Sequence, residues 1–231
     1  MADTVRAVER SIEELVGDTD VEALSAGEVI DAALERLHPS MALACSFQKE
    51  ESVILDMLLE REPRARVFTL DTHVLFPESY ALWRELEQRY GIRIEVFEGP
   101  SLGRQAATHG EALWERNPDL CCSIRKIAPL SEALSGLDGW ITGVRRDQAP
   151  SRVDTPKLGW DERHELWKAS PLADWSDEDV WSYVRERDLP VNELHGRGYA
   201  SIGCTHCTQP GAGREGRWMG AEKTECGLHP A

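Results

Sequence analysis

Apolar positions along this chain change period repeatedly, and each change marks an element. Ser25-x-x-Glu28 has the spacing of a capping box and predicts a helix that runs to about Leu37, where His38-Pro39 stops it. Residues 41–47 (MALACSF) form a short apolar run that predicts a buried strand, and residues 51–60 are amphipathic. Residues 65–70 (ARVFTL) predict a second strand, which runs into Asp71-Thr72 and then a helix with Pro77 in its first turn, through Tyr90. Residues 92–97 alternate as a third strand. Helical segments around 103–115 and 121–134 precede a fourth strand at 140–144, and 164–169 predicts a fifth. Ser176 caps a further helix, DEDVWSYVRERDL, with Val180, Tyr183 and Val184 as its apolar stripe.

Strands alternating with helices over some 180 residues predict an α/β fold, a Rossmann-like parallel sheet with helices on both faces. Ligands of such sheets sit at the carboxyl ends of the strands. Ser46, Asp71-Thr72 and Arg145-Arg146 each stand where a predicted strand gives out. Periodicity disappears beyond Pro190. The chain therefore divides into an α/β unit over 1–200 and a CxxC loop with a C-terminal tail over 201–231, one domain overall. Glycines at 211, 213, 216, 220 and 227 predict that this tail is mobile.

Composition narrows the function classes. The 231 residues carry 26 Lys and Arg against 41 Asp and Glu, a net charge of −15, which argues against a general nucleic-acid or membrane-surface binder. No apolar run approaches the roughly 18 residues that span a bilayer. The N-terminal stretch, MADTVRAVERSIEELV, has no signal-peptide core, so cytoplasmic residence is expected. The charge is uneven: residues 121–152 hold five basic residues against three acidic ones. Basic side chains kept near cysteines in an acidic protein suggest an anionic ligand, the plain alternative being ordinary surface mixing.

Five of the six cysteines form one pattern: Cys121-Cys122, Cys204-x-x-Cys207, and Cys226 alone. The CxxC spacing suits zinc, iron–sulfur clusters and redox pairs alike, and His195 and His206 are available to a zinc site. Adjacent cysteines discriminate better. Neighbours on a helix differ by about 100° in direction, so both reach one small ion only with strain. A cubane cluster offers separate iron corners. Cys45, inside the apolar run, reads as an inert core thiol. Cys226 is left over, with His229, Lys223, Arg214 and Arg217 nearby in sequence, the surroundings that activate a nucleophilic thiol.

These residues carry a resemblance. Cys121-Cys122-x-x-Arg125-Lys126, Gly203-Cys204-x-x-Cys207-Thr208, Arg214-Glu215-Gly216-Arg217-Trp218 and Glu225-Cys226-Gly227-Leu228-His229 resemble the assimilatory adenylyl-sulfate reductases. So do Leu70-Asp71-Thr72-x-x-Leu75-Phe76-Pro77-Glu78-Ser79-Tyr80 and Gly143-Val144-Arg145-Arg146-Asp147-Gln148. The related 3′-phosphoadenylyl-sulfate reductases share the ECGLH tail but typically lack the double cysteine and the CxxC.

The resemblance implies an adenine-nucleotide alpha-hydrolase-like fold and a [4Fe–4S] cluster on Cys121, Cys122, Cys204 and Cys207. It implies thioredoxin as electron donor and Cys226 as the nucleophile that attacks the sulfur of adenylyl sulfate, expelling AMP. Ser46, Asp71, Thr72, Lys126, Arg145, Arg146, Arg214, Arg217 and His229 are the expected substrate contacts. His73 stands where the family usually has glycine, and Ser46-Phe47-Gln48-Lys49-Glu50-Glu51-Ser52 is less glycine-rich than the phosphate loop of ATP-using relatives. Three rivals remain: the same chemistry on 3′-phosphoadenylyl sulfate, an ATP-dependent thiolation or adenylating enzyme of the same fold, and a zinc-stapled nucleotide-binding module. The eight tryptophans are compatible with core, substrate lid or a homo-oligomer interface.

Overall fold

The computed structural model describes residues 12–218, 223 and 225–229; residues 1–11 and Gly220, both used above, lie outside them. Strands β1 (Met41–Ala44), β2 (Arg66–Asp71), β3 (Glu95–Glu98), β4 (Gly139–Ile141), β5 (Leu158–Asp161) and β6 (Leu166–Ala169) make one sheet in the order β3-β2-β1-β4-β6-β5. All pairs are parallel except β5 with β6. The helices are α1 (Ile12–Val16), α2 (Ala26–Leu37), α3 (Lys49–Arg61), α4 (Pro77–Tyr90), α5 (Leu102–His109), α6 (Leu113–Arg116), α7 (Pro118–Cys122), α8 (Ala128–Leu134) and α9 (Asp177–Glu186). No helix among the described residues is long and apolar enough to cross a membrane.

The period-2 geometry of β1 divides the core. Leu43 points into the larger cluster with Val29 and Ile30 of α2, Ile54 and Leu58 of α3, and Val180 and Val184 of α9. Ala42 points the other way, to Phe68, Trp140, and Leu130 and Leu134 of α8. Helices thus cover both faces, as the alternation predicts. The capping boxes form as read: Ser25 Oγ accepts from the Glu28 amide while the Glu28 carboxylate accepts from the Ser25 amide, and Ser176 pairs with Asp179 in the same way. Each such cap contributes about 1 kcal/mol.

Several elements differ from expectation. The helix predicted around 103–115 breaks at Gly110 (φ 81°), and the Arg116 guanidinium donates to the exposed carbonyls of His109 and Glu111. Helix α3 is buried almost all round, Lys49, Glu50, Glu51 and Asp56 included, because the sheet, α2 and α9 enclose it. Its polar groups survive by pairing: Lys49 with Asp177, Glu50 with Arg145, Glu51 with Ser46, Asp56 with Tyr90 and Tyr183. Strand β5 lies at the sheet edge, where LGWD pairs antiparallel with β6.

Candidate active site

The segment expected as a helix over 121–134 is three pieces. Asn117 caps α7, which delivers Cys121 and Cys122. A π-helical turn, Ser123–Ile127, follows before α8 resumes. The wider turn carries Arg125 and Lys126, and such single π turns recur at functional sites. The CxxC loop comes to meet it: Cys204 bridges Leu75, the Thr205 amide donates to the Val74 carbonyl at 2.8 Å, and Cys204 Sγ donates to Thr72 Oγ1 at 3.4 Å.

Cys121, Cys122, Cys204 and Cys207 line one small cavity with Val74, Trp114, Arg125, Lys126, His206 and Trp218. Among the described residues no three cysteine sulfurs lie within 4.8 Å of one another. Four zinc–sulfur bonds would hold them about 3.8 Å apart. Burial and mutual proximity push Cys121 and Cys207 up to about 11, and burial raises Cys122; a bound metal centre would favour the thiolate of each. Arg125 is 1% exposed, and only its Nη1 is engaged, donating to the Thr72 carbonyl; Nε and Nη2 are buried without an acceptor beside the cysteines. Orphaned donors of that kind fit the sulfides and thiolates of an iron–sulfur cluster, and the residues present therefore fit the group.

A larger cavity adjoins this one at the carboxyl ends of β1, β2 and β4. It is lined by Ser46, Thr72, Leu70, Trp140, Lys126, Arg152, Arg214, Arg217, Cys226 and His229, among others. Cys226 is 8% exposed and packs with Cys122, Trp218, Cys207 and Leu228. Burial opposes its thiolate, but Lys126, the Leu228 amide, Arg217 and Arg214 outweigh it and hold the thiol below its ordinary value. Burial also works against the charge of Lys126, which the sulfurs of Cys204, Cys226 and Cys122 more than restore. Arg217 lies over Trp218 at 4.5 Å and donates to Ser201. Burial and Arg152 press Arg214 down to about 10.

Of the tail expected to be mobile, described residues 225–229 lie against the sheet. Arg163 donates to the Gly227 carbonyl, and His229 stacks on Trp140. Burial, then Lys168, Arg152, Arg214 and His164, keep His229 neutral. The loop glycines also serve packing. A Cβ on Gly216 would lie 2.1 Å from the Gln209 carbonyl oxygen, so this residue permits the tight return of the loop upon itself.

Not every expected contact faces the cavity. Asp71 accepts from the His73 amide and the Tyr80 hydroxyl, and so pins the turn after β2. His73 has φ 58°, the left-handed conformation that glycine adopts freely. Arg145 is buried against Glu50, Asp147 and Asp177, and lines a neighbouring cavity. Arg146 reaches away to Glu22 and the Thr155 carbonyl. A position at a strand end left open where these side chains point: the buried carboxylate of Glu50, with Asp147 and Asp177, takes Arg145, and the exposed carboxylate of Glu22 takes Arg146. Three residues were missed. Arg152 lies in the cavity, and the basic excess of 121–152 was its only signal. Trp140 was read only as strand. Glu51 accepts from Ser46 Oγ at 3.0 Å and from the Gln48 amide at 3.2 Å, occupying the phosphate-loop turn from within.

Fold and site together define a nucleotide-binding type of α/β protein with thiols gathered at the strand ends. The profile of the phosphoadenosine phosphosulfate reductase domain matches residues 40–210, and the chain belongs to that family. It is 44% identical over 207 residues to the adenosine 5′-phosphosulfate reductase of Salinibacter ruber, spanning 87% of this chain and 82% of the relative. It is 43% identical over 208 residues to adenosine 5′-phosphosulfate reductase 2 of Bacillus subtilis, spanning 87% and 88%. The crystal structure of phosphoadenylyl-sulfate reductase from Candida auris superposes with a TM-score of 0.74 at 31% identity, covering 82% of this chain and 93% of that one. FMN adenylyltransferase of Candida glabrata, at 14% identity and a TM-score of 0.59, shares the fold over 80% of this chain and 61% of its own.

Proposed function

We propose that this chain reduces adenylyl sulfate to sulfite and AMP in sulfate assimilation, in the cytoplasm, with a thioredoxin-type dithiol as donor. The observation that carries the reading is Cys226, a buried thiol held toward its thiolate by Lys126, Arg214 and Arg217 in a cavity at the strand ends. The Cys226 thiolate attacks the sulfur of adenylyl sulfate. The bond from that sulfur to the bridging oxygen breaks, AMP leaves with the electron pair, and an S-sulfo-cysteine remains. A thiolate of the donor then attacks Cys226 Sγ, sulfite departs with the electrons of the S–S bond, and the donor's second thiol resolves the mixed disulfide. Two electrons pass from dithiol to sulfur, and Cys226 is regenerated.

Arg152, Arg214, Arg217 and Lys126 supply the charge that receives a sulfonated phosphate, since charge-assisted guanidinium contacts to phosphate are strong and directional. Thr72 and Ser46 offer hydroxyls at the ends of β2 and β1, and Leu70, Phe68 and Leu130 give the cavity apolar walls for a base. Cys121, Cys122, Cys204 and Cys207 would hold a [4Fe–4S] cluster, which supplies a fixed charge distribution beside Lys126. Steady-state rates with adenylyl sulfate and its 3′-phosphorylated form test the reading. A clear preference for adenylyl sulfate is expected, and preference for the 3′-phosphorylated nucleotide would overturn it.

A further inference from the structure

Two of the four cations around Cys226 are engaged by an anion of the protein itself. Arg152 grips both oxygens of Glu225, Nε to Oε1 at 3.0 Å and Nη2 to Oε2 at 2.9 Å, and Arg214 Nη2 reaches Oε2 at 2.9 Å. The side chains of Arg152, Glu225 and Arg214 are only 10%, 15% and 15% exposed, so salt screens these pairs poorly. Both arginines line the cavity that holds Cys226. The carboxylate therefore takes up cationic capacity that an incoming phosphate would use. Glu225 also directly precedes the nucleophile, so whatever frees its carboxylate acts on the backbone of Cys226. The rest of the segment is held independently, Gly227 by Arg163 and His229 by Trp140.

We propose that Glu225 is a resident stand-in for the substrate's anion. Its carboxylate competes with the phosphosulfate end of the nucleotide for Arg152 and Arg214. Substrate entry and release of Glu225 are then a single exchange, while residues 227–229 stay anchored on β4 and the β5–β6 turn. The inference rests on the reading of this cavity as the sulfonucleotide site. It accounts for how two buried guanidinium groups tolerate each other when no nucleotide is bound: one carboxylate bridges both, and unpaired buried charge is costly. It also gives the site a selectivity that apolar walls cannot provide. A ligand without an anion has nothing to exchange for Glu225.

Calorimetric titration of the cluster-loaded enzyme with AMP and with adenosine tests this, comparing wild type with Glu225→Gln. The variant is expected to bind AMP about tenfold more tightly, equivalent to about 1.4 kcal/mol, with adenosine affinity unchanged. AMP affinity unchanged or weakened in the variant overturns the proposal. Hydrogen exchange on the wild type gives an independent readout that needs no substitution. The Glu225 and Cys226 amides should exchange faster when AMP saturates the site but not when adenosine does, and unchanged or slower exchange with AMP overturns the proposal. Arg214→Gln and Arg152→Gln separate the two levels: if both leave AMP binding intact, the reading of the cavity has failed, and the exchange proposed on it falls too.

Discussion

His229 stacks on Trp140 with ring centroids 5.5 Å apart and 18° between the planes, which fastens the end of the tail to strand β4. The pair places Cys226 by holding the residue three positions after it. Aromatic pairs contribute about 0.5–1.5 kcal/mol beyond their burial. His229→Ala should therefore raise the rate at which iodoacetamide labels Cys226 by about fivefold, and His229→Phe should restore the wild-type rate.

The thiol of Cys226 lies below its ordinary value because Lys126, the Leu228 amide, Arg217 and Arg214 together outweigh burial. Its folded pKa is depressed, so the thiolate persists to lower pH than in a free cysteine, and labelling slows only as pH falls through that depressed value. Lys126→Gln should shift the midpoint of the labelling profile upward, toward the ordinary thiol value of about 8.5. A pH profile of the alkylation rate for the two proteins measures the shift.

Glu51 behaves in the opposite sense. Burial and the charge of Glu50 push its carboxyl up to about 7, although Ser46 and the Gln48 amide favour the charged form. The folded state binds this proton more tightly than the unfolded chain does. The contribution of Glu51 to stability is thus fully present below its unfolded value and is lost as pH rises through about 7. Glu51→Gln should raise the thermal midpoint at pH 8 relative to wild type, and the gain should shrink toward pH 5. Thermal unfolding of both proteins across that range is the check.

The five cysteines that the structure brings to two adjoining cavities could be singled out in the sequence because residue type and spacing mark them. The arginines could not, because their roles depend on direction. Arg145 and Arg146 follow β4, as a ligand-binding residue should, yet Glu50, Asp177 and Glu22 claim them. Arg152 enters the cavity only through the turn that follows. The five parallel strands were readable from apolar runs. Strand β5 was not, since LGWD gains its order from pairing with β6. Among the glycines after 201, two have local roles that composition alone does not reveal: Gly216 permits a close backbone approach and Gly227, at φ 84°, a left-handed turn beside Ile127.

That contrast gives a paired expectation. Arg146→Gln removes the contacts to Glu22 and Thr155, and should lower stability by about 1 kcal/mol while leaving AMP affinity unaltered. Arg217→Gln removes a cation from the cavity and should weaken AMP binding about tenfold, consistent with the loss of one charge-assisted contact. Calorimetry and thermal unfolding on both variants separate the two roles.

The proposed chemistry requires Cys226 to take the sulfonate. Mass spectrometry of the enzyme mixed with adenylyl sulfate, with no dithiol present, tests this most directly. A single sulfonate adduct on the peptide containing Cys226, absent from Cys226→Ser and released as sulfite when thioredoxin is added, is the predicted result. A sulfonate on any other cysteine, or none on an enzyme that turns over once its donor is supplied, would contradict it.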